Sequence, residues 1–134
     1  MVTLYSDGGY RMHEHLGAWA WCLVEGDQII SEGSDLVRDS TSNRCEYLAL
    51  INGLTFAVGK YSYLTCVSDS QLLVNQLNGV YKVKDEHIKQ LYRILVGICE
   101  KFECVRFVWH EREGTWNQFC DKMCDEIIDR ALLK

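Results

Sequence analysis

The chain has 134 residues, of which 48% are hydrophobic, and its formal net charge is −5. This length and apolar content predict one domain, residues 1–134, with a single full core. The acidic balance argues against a broad basic surface for binding nucleic acid, so any polyanionic partner has to be held locally or through metal ions.

The beginning of the chain mixes charged side chains with short apolar runs, which is not the pattern of a signal peptide or a membrane span. The 7 cysteines are scattered, without the paired spacing of a zinc site. We therefore expect reduced and mostly buried thiols, a cytoplasmic protein and no membrane partner.

The first third of the chain has the pattern of three strands. Alternating residues predict a strand over 2–7, which Gly8-Gly9 interrupts, and an aromatic and aliphatic run predicts a second strand over 16–24. After a tight turn at 25–27, a third strand is predicted to begin over 28–31. These three strands would form an antiparallel meander.

From residue 43 onwards the apolar residues follow helical spacing more often than alternation. The elements predicted there are a helix over 44–58, a strand over 63–68, helices over 70–77 and 85–101, a strand over 105–109 and a helix over 115–133. The last helix would begin with the capping-box pattern Thr115-x-x-Gln118. The order βββαβααβα predicts an α/β fold in which a five-stranded mixed sheet carries helices on its faces.

Three acidic residues, at positions 7, 46 and 69, each have an ordinary structural explanation. Asp7 precedes two glycines, as turn aspartates often do. Glu46 stands three residues after Asn43, which fits a capping box, yet its predicted helix face points inward, where a lone carboxylate is costly. Asp69 lies between a predicted strand and a predicted helix, where aspartate commonly caps the helix.

A fourth acidic residue, Asp121, shares a stripe with Asp125 and Asp129, and such a stripe is usually a solvated helix face. Considered together, the four positions indicate a common site, because a mixed sheet can bring strand ends and early helical turns to one place. Carboxylates gathered there repel one another unless cations neutralise them, so the set predicts a site for hard divalent ions, magnesium or manganese. Two such ions suit an in-line phosphoryl displacement by water.

Four short motifs carry these acidic residues through the chain. They are Tyr5-Ser6-Asp7-Gly8-Gly9, Ser42-Asn43-Arg44-Cys45-Glu46-Tyr47, Ser68-Asp69-Ser70-Gln71 and Asn117-x-x-x-Asp121. In this order and at these spacings they resemble the motifs of type 1 ribonuclease H, and the resemblance covers essentially the whole chain. It implies a ribonuclease H-like fold and an endonuclease that hydrolyses the RNA strand of RNA-DNA hybrids, leaving 5′-phosphate and 3′-hydroxyl ends.

The resemblance also implies roles for single residues. The catalytic set it gives is Asp7, Glu46, Asp69, Asp121 and His110. The four carboxylates of this set would bind two Mg²⁺ ions, with Mn²⁺ as an alternative. Asp121 is preferred to Asp125, the fallback, because it lies four residues after Asn117. His110 stands where the family often has a mobile histidine that helps product leave or shuttles protons, although an ordinary surface-loop histidine explains it equally well.

Contacts with an RNA-DNA hybrid are implied at two places. The backbone near Gly8 and Gly9, with Glu46 and Gln71, would contact the ribose next to the cut, because the 2′-hydroxyl distinguishes RNA from DNA. The DNA strand and one of its phosphates would lie on Thr41, Ser42, Asn43 and Arg44. The alternative for this second group is a loop that caps a helix.

The link at 78–84 departs from many relatives, which insert a basic, tryptophan-rich helix and loop there. The chain thus resembles a compact branch of the family. The basic residues near the link are Lys82, Lys84, Lys89 and Arg93. They could hold the hybrid as a smaller version of that insertion, or simply form the solvent-exposed face of a helix. We expect weak, salt-sensitive binding by a monomer, with a tethering protein as a possible partner.

Three other functions stay open from the sequence. A nuclease of the same superfamily could use the same metals on DNA, against which Gln71 and the Asn43 region argue. A non-catalytic hybrid-binding module would not need a repulsive set of four carboxylates. A zinc protein using Cys120, Cys124 and His110 lacks paired ligands.

Overall fold

The structure is a computed structural model that describes residues 1–111 and 114–133. Its strands are β1 (Val2–Arg11), β2 (Leu16–Glu25), β3 (Gln28–Arg38), β4 (Tyr63–Ser68) and β5 (Cys104–Trp109). Its helices are α1 (Ser42–Ala57), α2 (Gln71–Leu77), α3 (Glu86–Cys99) and α4 (Thr115–Leu132). The predicted order βββαβααβα is therefore confirmed.

The five strands form one mixed sheet in the order β3-β2-β1-β4-β5. Strands β1, β2 and β3 are antiparallel neighbours, as expected for a meander, whereas β4 pairs parallel to β1 and β5 pairs parallel to β4. The central strand β1 pairs with β4 only as far as Ser6, so the ends of β4 and β5 lie level with the middle of β1, and the connections to the helices start there.

Each face of the sheet has its own apolar core, because alternate residues of a strand point to opposite faces. Leu4, Trp21 and Leu23 pack with helix α1 and its neighbours on one face. Ala20 and Cys22 pack with helix α4 on the other. The catalytic candidates lie near the middle of β1, level with the end of β4.

Two strands are longer than the sequence predicts. Strand β1 was expected to stop before Gly8-Gly9, but both glycines pair with β2, Gly8 opposite Trp19 and Gly9 opposite Ala18. Strand β3 extends to Arg38 and has no fully buried residue, so its alternation of apolar and polar residues is weak. An edge strand with half-buried faces gives little hydrophobic signal.

Three helix starts also differ from the predicted caps. The cap of α1 is Thr41, whose side chain accepts from the backbone N–H of Arg44, so Asn43 lies inside the helix. The cap of α2 is Ser70, not Asp69. The cap of α4 is Gly114, without a side-chain hydrogen bond, so the predicted capping box at Thr115 is wrong.

All seven cysteines are free thiols, and five of them are buried, as predicted. In the part of the chain that is described, no helix is both long and apolar enough to cross a bilayer.

Candidate active site

The middle of strand β1 lies beside the end of β4, which brings two of the predicted carboxylates to the same level. Ser6 of β1 is the parallel partner of Ser68 of β4. The next residues along the chain are Asp7, which is still within β1, and Asp69, which directly follows β4, so the two become neighbours. Asp7 is only 7% exposed. The sheet register alone thus pairs a buried carboxylate with one at a strand-to-helix junction.

Helix α1 contributes Glu46 through an unusually close approach to β1. A Cβ added at Gly8 would lie 2.4 Å from the backbone carbon of Cys45 and 2.4 Å from the backbone nitrogen of Glu46. Only glycine leaves room for the first turn of α1 to rest directly on the strand. The first glycine of the motif Asp7-Gly8-Gly9 therefore has a packing function that the sequence pattern did not indicate.

Helix α4 contributes Asp121 from the opposite face of the sheet. Its buried thiols lie along β1: Cys120 donates to the carbonyl of Tyr5 (3.6 Å) and Cys124 to the carbonyl of Asp7 (3.7 Å). Between these two contacts, Asp121 shares a side-chain hydrogen bond with Asp7. The helix is thereby held against the strand next to the acidic group.

The structure thus brings together all four predicted carboxylates. One oxygen each from Asp7, Glu46 and Asp69 lie within 4.8 Å of one another, and Asp121 joins the group through Asp7. Burial, followed by the charges of Asp69, Asp121 and Glu46, raises the pKa of Asp7 from 3.8 to about 9. An all-oxygen cluster whose charges oppose one another in this way fits hard divalent cations, which would relieve the repulsion.

The ordinary explanations of these residues are weaker in the structure than in the sequence. Asp69 does not cap α2, because Ser70 does, and Glu46 is not the partner of an Asn43 cap. Asp125, the fallback for Asp121, is tied to Arg11 at 3.2 Å with its side chain 59% exposed. It belongs to a surface ion-pair network outside the cluster.

His110 follows strand β5 and is exposed. Its backbone N–H donates to the carbonyl of Ser68, the residue before Asp69, and its Nδ1 lies 3.1 Å from the carbonyl of Glu111. The neighbouring Trp109 donates from its indole Nε1 to the carbonyl of Asp69 (3.1 Å). Nothing in the sequence singled out this tryptophan, which holds the backbone of a candidate ligand.

The predicted substrate residues lie around the cluster. Gly9 follows Gly8 in β1, and Gln71 is exposed at the first position of α2. Thr41 and Ser42 are exposed at the start of α1, where they line a cavity of about 360 Å³ together with Tyr10. Asn43 and Arg44, the remaining two, are half-buried in the first turn of α1. The first group therefore follows Asp7 and Asp69 along the chain. The second group forms the start of α1, the helix that carries Glu46.

Comparison with known proteins decides the family. Residues 5–126 match the family described as reverse transcriptase-like. The chain belongs to this family, and its fold is that of ribonuclease H.

Two sequence relatives and two solved structures illustrate the similarity of this chain to known proteins. Ribonuclease HI of Halobacterium salinarum is 35% identical over 136 residues, covering 97% of this chain and 65% of that protein. The bifunctional protein Rv2228c of Mycobacterium tuberculosis is 28% identical over 134 residues, covering 97% of this chain. The chain spans 36% of the length of this mycobacterial relative.

Two solved structures have closely similar folds. The N-terminal RNase H domain of Rv2228c, solved as a fusion with maltose-binding protein, has a TM-score of 0.90 at 25% identity, covering 98% of this chain and 96% of that one. LC11-RNase H1, solved in complex with an RNA/DNA hybrid, has a TM-score of 0.87 at 28% identity, covering 98% of this chain and 99% of that one.

The raised pKa of Asp7 predicts how pH affects the stability of the metal-free protein. Between about pH 4, where the unfolded aspartate ionises, and about pH 9, the folded pKa of Asp7, the unfolded chain has released this proton and the folded chain retains it. The stabilisation that comes from protonated Asp7 is therefore complete below about pH 4. It declines as pH rises from about 4 to about 9. Urea unfolding in EDTA at several pH values measures the decline. Asp7→Asn should flatten it, and an equal slope in both proteins would contradict the prediction.

The close approach at Gly8 predicts a large effect of one methyl group. Because an added Cβ would lie 2.4 Å from the backbone of α1, Gly8→Ala has to push the helix away from β1 and separate Glu46 from Asp7. We expect a loss of at least about 2 kcal/mol in the free energy of unfolding, together with weaker divalent-metal binding.

Gly9→Ala is the matched control for stability, because a Cβ there meets nothing within 4 Å. Denaturant unfolding of the two variants, with calorimetric titration of Mg²⁺ or Mn²⁺, makes the comparison. Equal stability of Gly8→Ala and Gly9→Ala would show that α1 does not rest on Gly8 as described.

Proposed function

We propose that this chain, as one domain over residues 1–134, is a ribonuclease H that hydrolyses the RNA strand of RNA-DNA hybrids. The observation that carries the proposal is the carboxylate cluster around Asp7 of β1, in which a 7%-exposed aspartate has three acidic neighbours. Such a cluster is costly for stability and is explained by metal-dependent chemistry. The relatives named ribonuclease H and the hybrid-bound structural neighbour support the choice of substrate.

The residues that would hold the metal are Asp7, Glu46, Asp69 and Asp121. Their oxygen-only donor set and mutual repulsion fit Mg²⁺, with Mn²⁺ as an alternative. When bound, two such ions would supply an activated water and neutralise charge on the leaving oxygen. No nucleophile from the protein is required.

The protein's own part is to fix these carboxylates before substrate arrives. Three different elements support Asp7: β1 carries it, the α4 thiol of Cys124 donates to its carbonyl, and Gly8 lets α1 approach beside it. Trp109 holds the backbone of Asp69 through its indole. Groups held in this way need little reorganisation during the reaction. His110, beside Ser68, is proposed to help product leave or to shuttle a proton.

Selectivity for RNA is proposed to come from contacts with the 2′-hydroxyl. The backbone of Gly8 and Gly9 directly follows Asp7, and Gln71 lies two residues after Asp69; together with Glu46 they would contact the ribose beside the cut. The cavity at Thr41 and Ser42, at the start of α1, is suited to the DNA strand. Asn43 and Arg44 complete that group.

The setting of the enzyme is also a proposal. Five buried free thiols suit the reducing cytoplasm. We propose a monomer, to which a tethering protein could add affinity for the hybrid.

Product analysis tests the proposed chemistry. A hybrid is incubated with the enzyme and Mg²⁺, and the fragments are identified by mass spectrometry. We expect an intact DNA strand and RNA fragments with 5′-phosphate and 3′-hydroxyl ends. Fragments with 2′,3′-cyclic phosphate would indicate attack by the 2′-hydroxyl itself and would contradict the proposal, as would cleavage of the DNA strand.

A further inference from the structure

Asn117 marks the fourth motif, but the proposed mechanism gives its side chain no role. It lies in the first turn of α4 and is 2% exposed. Its Nδ2 donates to the carbonyl of Glu111 at 3.1 Å. Its Oδ1 is buried without a hydrogen-bond partner within residues 1–111 and 114–133. A buried amide that leaves an acceptor unsatisfied costs stability, so a role beyond packing is worth seeking at this residue.

The carbonyl of Glu111 receives more than one donor. Besides Asn117, the backbone N–H of Gly114 donates to it at 3.2 Å, and Nδ1 of His110 lies 3.1 Å away. A carbonyl only accepts hydrogen bonds, so His110 makes this contact when its proton is on Nδ1, which leaves Nε2 as the acceptor of the ring. The Glu111 carbonyl therefore selects one tautomer of His110.

The same three residues are packed together. A Cβ added at Gly114 would lie 3.1 Å from Nδ1 of His110 and 3.5 Å from Nδ2 of Asn117. His110 and Asn117 also line a shared cavity of about 280 Å³ between β5 and α4. One helical turn further along α4 is Asp121, which is hydrogen-bonded to Asp7. Asn117 thus lies between the histidine segment and the carboxylate cluster.

We infer that Asn117 is a positioning residue: its amide fixes the Glu111 carbonyl, which holds His110 with Nε2 as the proton acceptor. The effect of Asn117 on turnover passes through His110, so this part of the inference rests on the proposed function. The effect on the imidazole does not depend on turnover.

Nitrogen NMR of the imidazole rings tests the structural step directly. The protein has 4 histidines, and His110→Ala assigns the signal of His110. At about pH 9, where imidazole side chains are neutral, we expect the Nδ1–H form in the wild type and a shift towards the Nε2–H form in Asn117→Ala. Asn117→Ser replaces the alanine variant if that protein does not fold. An unchanged tautomer in the folded variant would overturn the inference.

A double-mutant cycle tests the functional step. Asn117→Ala should lower kcat about tenfold with KM changed less than about twofold, a part of the roughly 10²- to 10⁴-fold that a positioned acid–base group contributes. Because Asn117 acts through His110, adding Asn117→Ala to His110→Ala should cost nothing more. Losses that multiply would overturn the inference.

Asn78→Ala is the matched control. Its amide also donates to a carbonyl of β5, that of Phe107 at 3.1 Å, but away from His110. We expect this variant to retain the tautomer of His110 and the kcat of the wild type; a loss equal to that of Asn117→Ala would make Asn117 a merely structural residue. If no protein cleaves hybrid, the proposed function has failed, and the NMR result still decides the role of Asn117.

Discussion

Asp69→Asn is expected to abolish hybrid cleavage without lowering the melting temperature of the metal-free protein. Among the neighbouring charges, that of Asp69 raises the pKa of Asp7 most. Its neutralisation therefore relieves the repulsion within the cluster and brings the pKa of Asp7 back towards its ordinary value. The metal-free protein should therefore unfold at the same or a higher temperature near neutral pH. Turnover should fall at least about a thousandfold, because a metal ligand supplies several kcal/mol of charge stabilisation.

Ser70→Ala separates this effect from helix capping. Ser70 accepts from the backbone N–H of Leu73 at 3.2 Å and is the cap of α2. Its loss should lower the free energy of unfolding by about 1 kcal/mol. Thermal unfolding in EDTA compares the two variants. If Asp69→Asn were destabilised as much as Ser70→Ala, the charge repulsion described for the cluster would be absent.

Asp121→Asn and Asp125→Asn are expected to differ sharply, although the two residues lie one helical turn apart. Asp121 is hydrogen-bonded to buried Asp7, so its replacement should lower kcat at least about a hundredfold. Asp125 is exposed and paired with Arg11, and such surface pairs contribute about 0–1 kcal/mol. Its replacement should leave kcat within about twofold. Steady-state cleavage of a labelled hybrid measures both, and the reverse ranking would move the metal site to Asp125.

The element order and the four carboxylates could be predicted because both rest on local pattern. Helical spacing gives α1 and α3, and each acidic motif is contiguous in the sequence. How these carboxylates meet was not predictable from local pattern: the register of β1 on β4 brings Asp7 beside Asp69, and the packing of α1 and α4 on β1 adds Glu46 and Asp121.

The errors have a common physical cause, because tertiary packing decided between local alternatives. Gly8-Gly9 has the composition of a turn, yet it continues β1 because α1 has to rest on Gly8. At the starts of α1 and α2, two adjacent or nearby residues could each have served as the cap. The direction from which the preceding chain enters each helix makes Thr41 the cap of α1 and Ser70 the cap of α2. Trp109 and Asn117 act through carbonyls that no side-chain pattern reveals.

The most direct test is cleavage of a labelled RNA-DNA hybrid beside single-stranded RNA, double-stranded RNA and duplex DNA, with Mg²⁺ or Mn²⁺ and with EDTA. The account predicts cutting of the hybrid alone, only with metal. Cutting of duplex DNA, or equal cutting in EDTA, would contradict it.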